Sequence, residues 1–227
     1  MVRRFAPVVL SLLVLVFVVG GSARAEQAAP PIFLPPGSVK AETLIAPPPA
    51  LDSAAFKEQM AIVLWLQKTR TLEQVAFVET VLDVERFAPI LGDALMTVDG
   101  RLLKDVIDEA INQVRAEYDA LKGFHDLPRP FVVNDAVDPV GDARPVASYP
   151  SGHSIRAIVY ARLLAEVFPD HEAALMELAH QVGYGRVIAG VHYPIDVTAG
   201  QTLGTAYADV IVQQPDFKAA VADIKGR

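Results

Sequence analysis

Residues 149–153 read Tyr149-Pro150-Ser151-Gly152-His153, and residues 152–167 carry the apolar pattern of a helix. Pro-Ser-Gly is turn chemistry, and Ser or Gly is an ordinary residue before a helix. The stretch therefore reads as a helix entrance with a histidine in the first turn. What that histidine does depends on what the rest of the chain brings to it.

Helical spacing recurs on both sides of this entrance. Downstream it predicts helices over about 170–188, 194–212 and 215–225. Upstream, residues 125–150 hold many prolines and no period, and read as a long loop. Residues 101–121 place Leu102, Leu103, Val106, Ile107, Ala110, Ile111, Val114 and Tyr118 at helical spacing, with mostly charged residues between. Asp99-Gly100 breaks a short segment before it. A helix is expected from Thr71 to about Arg86, and another from Asp52 or Ser53, either of which can cap it, to about Thr69. No stretch alternates with period two for long enough to be a strand, and no internal repeat is visible. The fold class is all-α: a single-domain helical bundle with a long central loop.

The chain ends bound the domain. Arg3 and Arg4 precede an apolar run from Phe5 to Val19, followed by Ser22-Ala23-Arg24-Ala25. This is the pattern of a signal peptide over 1–25, cut after Ala25 and leading to the periplasm. The run is short for a bilayer span of about 20 residues. Residues 26–51 are rich in proline and alanine and predict an extended arm, with Ile32, Phe33 and Leu34 available to lie on the domain surface. The domain proper is 52–227.

The formal charge is −7, and loss of residues 1–25 removes Arg3, Arg4 and Arg24 and no acid. So acidic a chain is a poor nucleic-acid partner. Any anionic substrate must be held by a local basic cluster working against the overall field. There is no cysteine, which excludes disulfides and cysteine-based phosphatase or protease chemistry. Beyond residue 25 no apolar run is long enough to span a bilayer, so no stable membrane insertion is expected after cleavage.

Three pieces carry chemistry: Lys122 with Arg129-Pro130; Pro150-Ser151-Gly152-His153; and Arg186, His192 and Asp196 within "GRVIAGVHYPID". Each alone has an ordinary reading as surface charge, cap or local pair. Together they supply the parts for moving a phosphoryl group without a metal. Arginine forks grip phosphate oxygens in pairs and lysine adds a point charge. A glycine at a helix N-terminus lets backbone N–H groups approach the oxygens. One histidine can attack phosphorus with a carboxylate fixing its tautomer, and the other can protonate the departing alcohol. Pro194 prefers a first helical turn, so that helix should begin near Pro194, with His192 just outside it and Asp196 reaching back.

These three pieces resemble the motifs of the phosphatidic acid phosphatase type 2 (PAP2) superfamily, which includes vanadium haloperoxidases. "ASYPSGHS", "RVIAGVHYPIDVTAG" and the proline-rich leader look most like the bacterial class A non-specific acid phosphatases, over about residues 33–212. The resemblance implies a PAP2/haloperoxidase-type bundle and a metal-independent acid phosphatase, a phosphoric monoester hydrolase without cofactor. It would act through a phosphohistidine and would also transfer phosphoryl groups to alcohols. His192 would be the nucleophile, Asp196 its orienting group and His153 the general acid. Lys122, Arg129, Ser151, Gly152 and Arg186 would bind phosphate. Small phosphomonoesters are the implied partners, vanadate and phosphate the implied inhibitors, and dimers or larger assemblies the implied quaternary state. An acidic, bell-shaped pH profile is implied, because His153 must be protonated while His192 is not.

The sequence departs from the family at Gly185, where serine usually precedes the third-motif arginine. Among alternatives, a membrane lipid phosphatase lacks its several apolar spans here. A vanadate-dependent haloperoxidase shares the pocket, but the chain is short for that group. A non-catalytic phosphate-binding protein would be favoured by a lost catalytic residue, and none is lost. A metallophosphatase needs more clustered His and Asp ligands. His125 lies between two motif residues and is a candidate pocket wall. His171 and His180, and Tyr149, Tyr184 and Tyr193 beside the motifs, have the simpler reading of surface or packing residues.

Overall fold

The computed structural model describes residues 31–226, and every regular element among them is helical. The expected signal peptide lies outside the described residues.

The arm is less extended than its prolines suggest. Residues 37–46 hold no proline, and there a one-turn helix forms, α1 (Ala41–Leu44). Phe33 and Leu34 are buried. Both of their backbone N–H groups donate to Gln113 Oε1, at 2.9 and 2.8 Å, and Gln113 Nε2 returns a bond to Pro31 O. Phe33 also meets the Phe217 ring edge-on.

α2 (Ala54–Thr69) starts at Ser53, whose Oγ accepts from Phe56 N–H. α3 (Leu72–Glu79) starts at Thr71 with a reciprocal box to Gln74. The helix expected to run to Arg86 stops at Glu79. The cause is Arg86, which turns back to donate Nη1 to Thr80 O and Nη2 to Phe77 O. Its guanidinium also lies 4.4 Å from the Phe77 ring centre. Carbonyls that a continuing helix would have used are thereby satisfied from outside. A 3₁₀ turn, α4 (Ala88–Leu91) and a second 3₁₀ stretch follow.

α5 (Gly100–His125) begins at Asp99, whose side chain accepts from Leu102 N–H. Its buried stripe runs from Leu103 to Tyr118. It extends four residues beyond the expected end at 121, so Lys122 sits in its last turn. Its close is Asp126, left-handed at φ 40, whose N–H returns to Lys122 O. Within the central loop Pro130 opens a single turn, α6 (Pro130–Val133). The Tyr149-Pro150 peptide is cis.

α7 (Gly152–Val167) is the core helix. Thirteen of its sixteen residues are buried, on all sides. It packs chiefly on α8 (Glu172–Ile188) and α9 (Pro194–Ile211), and α10 (Pro215–Gly226) closes the bundle beside α5. The α7–α9 contact is set by two glycines. A Cβ on Gly200 would stand 2.6 Å from Ser151 O, and one on Gly204 would stand 2.6 Å from Ile155 O. Only hydrogen fits there. α8 ends at Gly190, whose φ of +71 is the left-handed conformation that glycine adopts freely. Together these approaches bring the starts of α7 and α9 and the ends of α5 and α8 to one place.

Candidate active site

The convergence encloses a cleft of about 250 Å³. His153, in the first turn of α7, and His192, between α8 and α9, both line it. So do Lys122, Arg129, Gly152 and Arg186.

His192 is held from behind. It lies two residues before α9, which begins at Pro194. The N–H groups of Val191 and His192 both donate to Arg186 O at 3.2 Å, coupling the histidine's backbone to the end of α8. Its Nδ1 stands 2.9 Å from Asp196 Oδ2, one turn into α9. The same oxygen accepts from Tyr193 N–H at 2.9 Å and from the Ser148 hydroxyl. With the carboxylate ionised, Nδ1 carries the proton and donates it, which leaves Nε2 as the basic edge turned to the cleft. Asp196 and His192 are buried, at 0% and 1% exposure. Burial raises the Asp196 carboxyl to about 6, against the hydrogen bonds from Ser148 and Tyr193 that pull it down. Burial, then the charges of Arg129 and Lys122, pushes His192 well below the usual histidine range, so its ring is neutral.

Backbone carbonyls aim the cations. Lys122 Nζ donates to Ala147 O at 3.0 Å. Arg129 donates Nε to Val146 O and Nη1 to Val191 O. Arg186 is less satisfied. Nη1 reaches Val78 O and Nη2 reaches Asp142 O, each at 3.5 Å, and its buried Nε has no partner among the described residues. Burial and its neighbour Arg129 bring Arg186 down to about 10, and burial brings Lys122 down to about 8. A buried, under-bonded guanidinium beside two further cations is a site waiting for an oxyanion. His153 faces the same charges. Burial first, then Arg186, Arg156, Arg129 and Lys122, holds it well below its ordinary value.

Ser151, expected to help bind phosphate, stands beside the lining residue Gly152. Its side chain is buried outside the cleft lining, and its Oγ caps α7 by accepting from Ser154 N–H and the Ser154 hydroxyl. Its backbone N–H donates to Asp196 O at 3.0 Å, which ties the α7 entrance to α9. His125 does not line the cleft either; its ring meets the Tyr149 edge at 5.0 Å. Tyr149 and Tyr193 are packing residues, the first donating its hydroxyl to Ala46 O, whereas Tyr184 is half exposed.

Sequence reasoning missed Ser148, which lies in the quoted "ASYPSGHS" yet reveals its role only through Asp196. It also missed Tyr118, counted as core, and Arg115, Arg144 and Arg156, all of which line the cleft. Arg156 could have been found. It is a charge inside the apolar run from Ile155 to Tyr160, three residues after His153 and so on the same face.

A helical bundle with a neutral histidine on a buried carboxylate, opening on a cleft of cations, defines a class of oxyanion-handling proteins. Residues 107–219 match the model of the PAP2 superfamily, and the chain belongs to that superfamily. It is 24% identical over 219 residues to a non-specific acid phosphatase of Salmonella typhimurium, spanning 88% of this chain and 85% of that one. A lipid A 1-phosphatase of Rhizobium johnstonii is 31% identical over 111 residues, covering 47% of this chain and 40% of that protein. Among solved structures, the first transmembrane PAP2 type phosphatidylglycerolphosphate phosphatase from Bacillus subtilis superposes with a TM-score of 0.54. That match is 19% identical and covers 71% of this chain and 87% of the other, so the two share the fold. No helix among the described residues here is long and apolar enough to cross a membrane.

Proposed function

We propose that this protein is an acid phosphatase that hydrolyses small phosphomonoesters through a phosphohistidine, without a metal cofactor. The observation that carries the reading is the 2.9 Å contact of His192 Nδ1 with Asp196 Oδ2 at the floor of a cleft lined by Lys122, Arg129 and Arg186. The acid phosphatase relatives, aligned over most of the chain, support the substrate class.

The chemistry follows from the placement. The three cations and the Gly152 N–H hold the phosphoryl oxygens and offset their charge. The Nε2 lone pair of His192 attacks phosphorus as the P–O ester bond breaks. The electron pair of that bond leaves on the alcohol oxygen, which takes a proton from His153. Asp196 steadies the positive charge that His192 acquires. Water, deprotonated by His153, then attacks the phosphohistidine, and inorganic phosphate and free His192 result. A second alcohol in place of water would yield phosphoryl transfer. The substrate's own negative charge raises the proton affinity of His153, which the cations depress in the empty cleft. Vanadate and phosphate, which offer the same oxygens, would inhibit. Cleavage after Ala25 would leave this activity in the periplasm.

The test is hydrolysis of an aryl phosphate by residues 26–227 in excess chelator, beside His192→Ala. Turnover that survives the chelator and is lost in the variant supports the proposal. Turnover that the chelator abolishes, or that persists in His192→Ala, contradicts it.

A further inference from the structure

The phosphate-binding groups occupy only part of the cleft. Two helices each carry another cation farther along the same face. On α5, Arg115 precedes Lys122 by seven residues, two turns or about 10 Å along the axis. On α7, Arg156 follows His153 by three residues, about 5 Å. Both line the cleft. Arg156 is 8% exposed, its Nε donates to Gly152 O at 3.2 Å, the Tyr118 hydroxyl is its side-chain partner, and the charge of Arg115 opposes its own. Neither arginine forms an ion pair among the described residues; Arg144, also on the rim, is already paired with Asp142. Asp119, one turn after Arg115, is the carboxylate on this stretch of the lining and forms no ion pair with either arginine among the described residues; a buried cation beside a second cation, with no carboxylate paired to it, is costly unless an anion joins them. The position identifies which part of a substrate would do so. Under the phosphomonoesterase reading, on which this inference rests, His153 faces the leaving oxygen, and Arg156 lies one turn beyond it.

We propose that Arg115 and Arg156 form a second anion subsite, and that the preferred substrates are phosphomonoesters whose alcohol carries another anionic group, a second phosphate foremost, roughly 5–10 Å from the scissile phosphorus. Tyr118, which lines the cleft one turn before Lys122 on α5 and interacts with Arg156, forms the wall joining the two subsites.

The test compares kcat/KM for a short alkanediol bisphosphate, the matching phosphocarboxylate and the diol monophosphate, in the wild type, Arg115→Gln and Arg162→Gln. Arg162 is paired with Glu172 and Asp209 away from the cleft. The bisphosphate should exceed the monophosphate by about tenfold or more. That ratio should fall toward one in Arg115→Gln and hold in Arg162→Gln. A phosphocarboxylate favoured as strongly as the bisphosphate would show that the subsite reads charge rather than phosphate, and would overturn the preference for a second phosphate. A wild-type ratio near one, or an equal loss in both variants, would overturn the subsite. Absence of turnover on every ester would instead count against the phosphatase reading. Calorimetry with butane-1,4-bisphosphonate, whose chain is long enough to span both subsites, against inorganic phosphate then decides the subsite alone: tighter bisphosphonate binding that Arg115→Gln removes supports it, and equal binding overturns it.

Discussion

Val78 fills the space that a side chain at residue 185 would need: a Cβ on Gly185 would stand 2.8 Å from Val78 Cγ1. The same Val78 offers its carbonyl to Arg186 Nη1. Gly185 therefore marks where α3 docks against α8, and the docked carbonyl acts on Arg186, beside which the family resemblance implies a serine. α3 in turn is held by Arg86 on the carbonyls of Phe77 and Thr80.

Restoring the family residue should then do harm. Gly185→Ser should displace Val78, cost about 1–3 kcal/mol of stability and raise KM for an aryl phosphate through Arg186. Val78→Ala combined with Gly185→Ser should recover part of the stability. Thermal melts and steady-state kinetics of the two variants check this, and a Gly185→Ser protein with improved KM would contradict it.

Asp196 can be tested apart from burial and shape. Asp196→Asn keeps the volume but gives up the charge that selects the His192 tautomer. Turnover should fall by roughly 10²–10⁴, with little change in phosphate affinity, since Asp196 does not line the cleft. Single-turnover kinetics and phosphate inhibition separate the two effects.

The pH profile follows from His153, which must be protonated to act as the acid and is held below its ordinary value by burial and the neighbouring cations, and from two further groups of the free enzyme. Asp196, raised by burial to about 6, is a carboxylate above that pH and loses its hold on the His192 proton as pH falls through it. Lys122, lowered by burial to about 8, is a cation below that pH and loses its charge as pH rises through it. The kcat/KM profile should thus be bell-shaped, with Asp196 on the acid limb, loss of the His153 proton on the alkaline limb, and a further decline above about 8 as Lys122 loses its charge. Lys122→Arg should remove only that further decline, because arginine keeps its charge. A profile unaltered above about 8 by this substitution would remove Lys122 from it.

The glycine contact between α7 and α9 should tie stability to catalysis. Gly204→Ala places a methyl where the Ile155 carbonyl stands, and should cost about 1–3 kcal/mol. Because α7 and α9 carry His153 and Asp196, kcat should drop as well. Denaturant melts alongside kcat measure the coupling; loss of stability with full kcat would show that the site tolerates a shift of the helices.

Much of this architecture is legible in the sequence because local signals agree. Pro194 fixes where α9 starts, and that start puts Asp196 within reach of His192. The stripe of α5 is equally plain. What escapes local reading depends on residues far apart in the chain. Val81, Leu82 and Val84 continue an apolar pattern past Glu79, and only the return of Arg86 ends the helix. Ser148 meets Asp196 across 48 residues, and Val78 meets Arg186 across 108. No spacing rule brings those pairs together. Ser151 shows the opposite limit: as a cap it is legible, but the bond from its backbone N–H to Asp196 O depends on how α7 seats against α9.

The measurement that bears most directly on the central claim is trapping of the covalent intermediate. The enzyme is mixed with a ³²P-labelled aryl phosphate, quenched in alkali within one turnover and digested. The account predicts label on the peptide bearing His192, none in His192→Ala, and stronger labelling when His153→Ala slows hydrolysis of the intermediate more than its formation from an activated ester. Full turnover with no labelled histidine, or label that persists in His192→Ala, would contradict it.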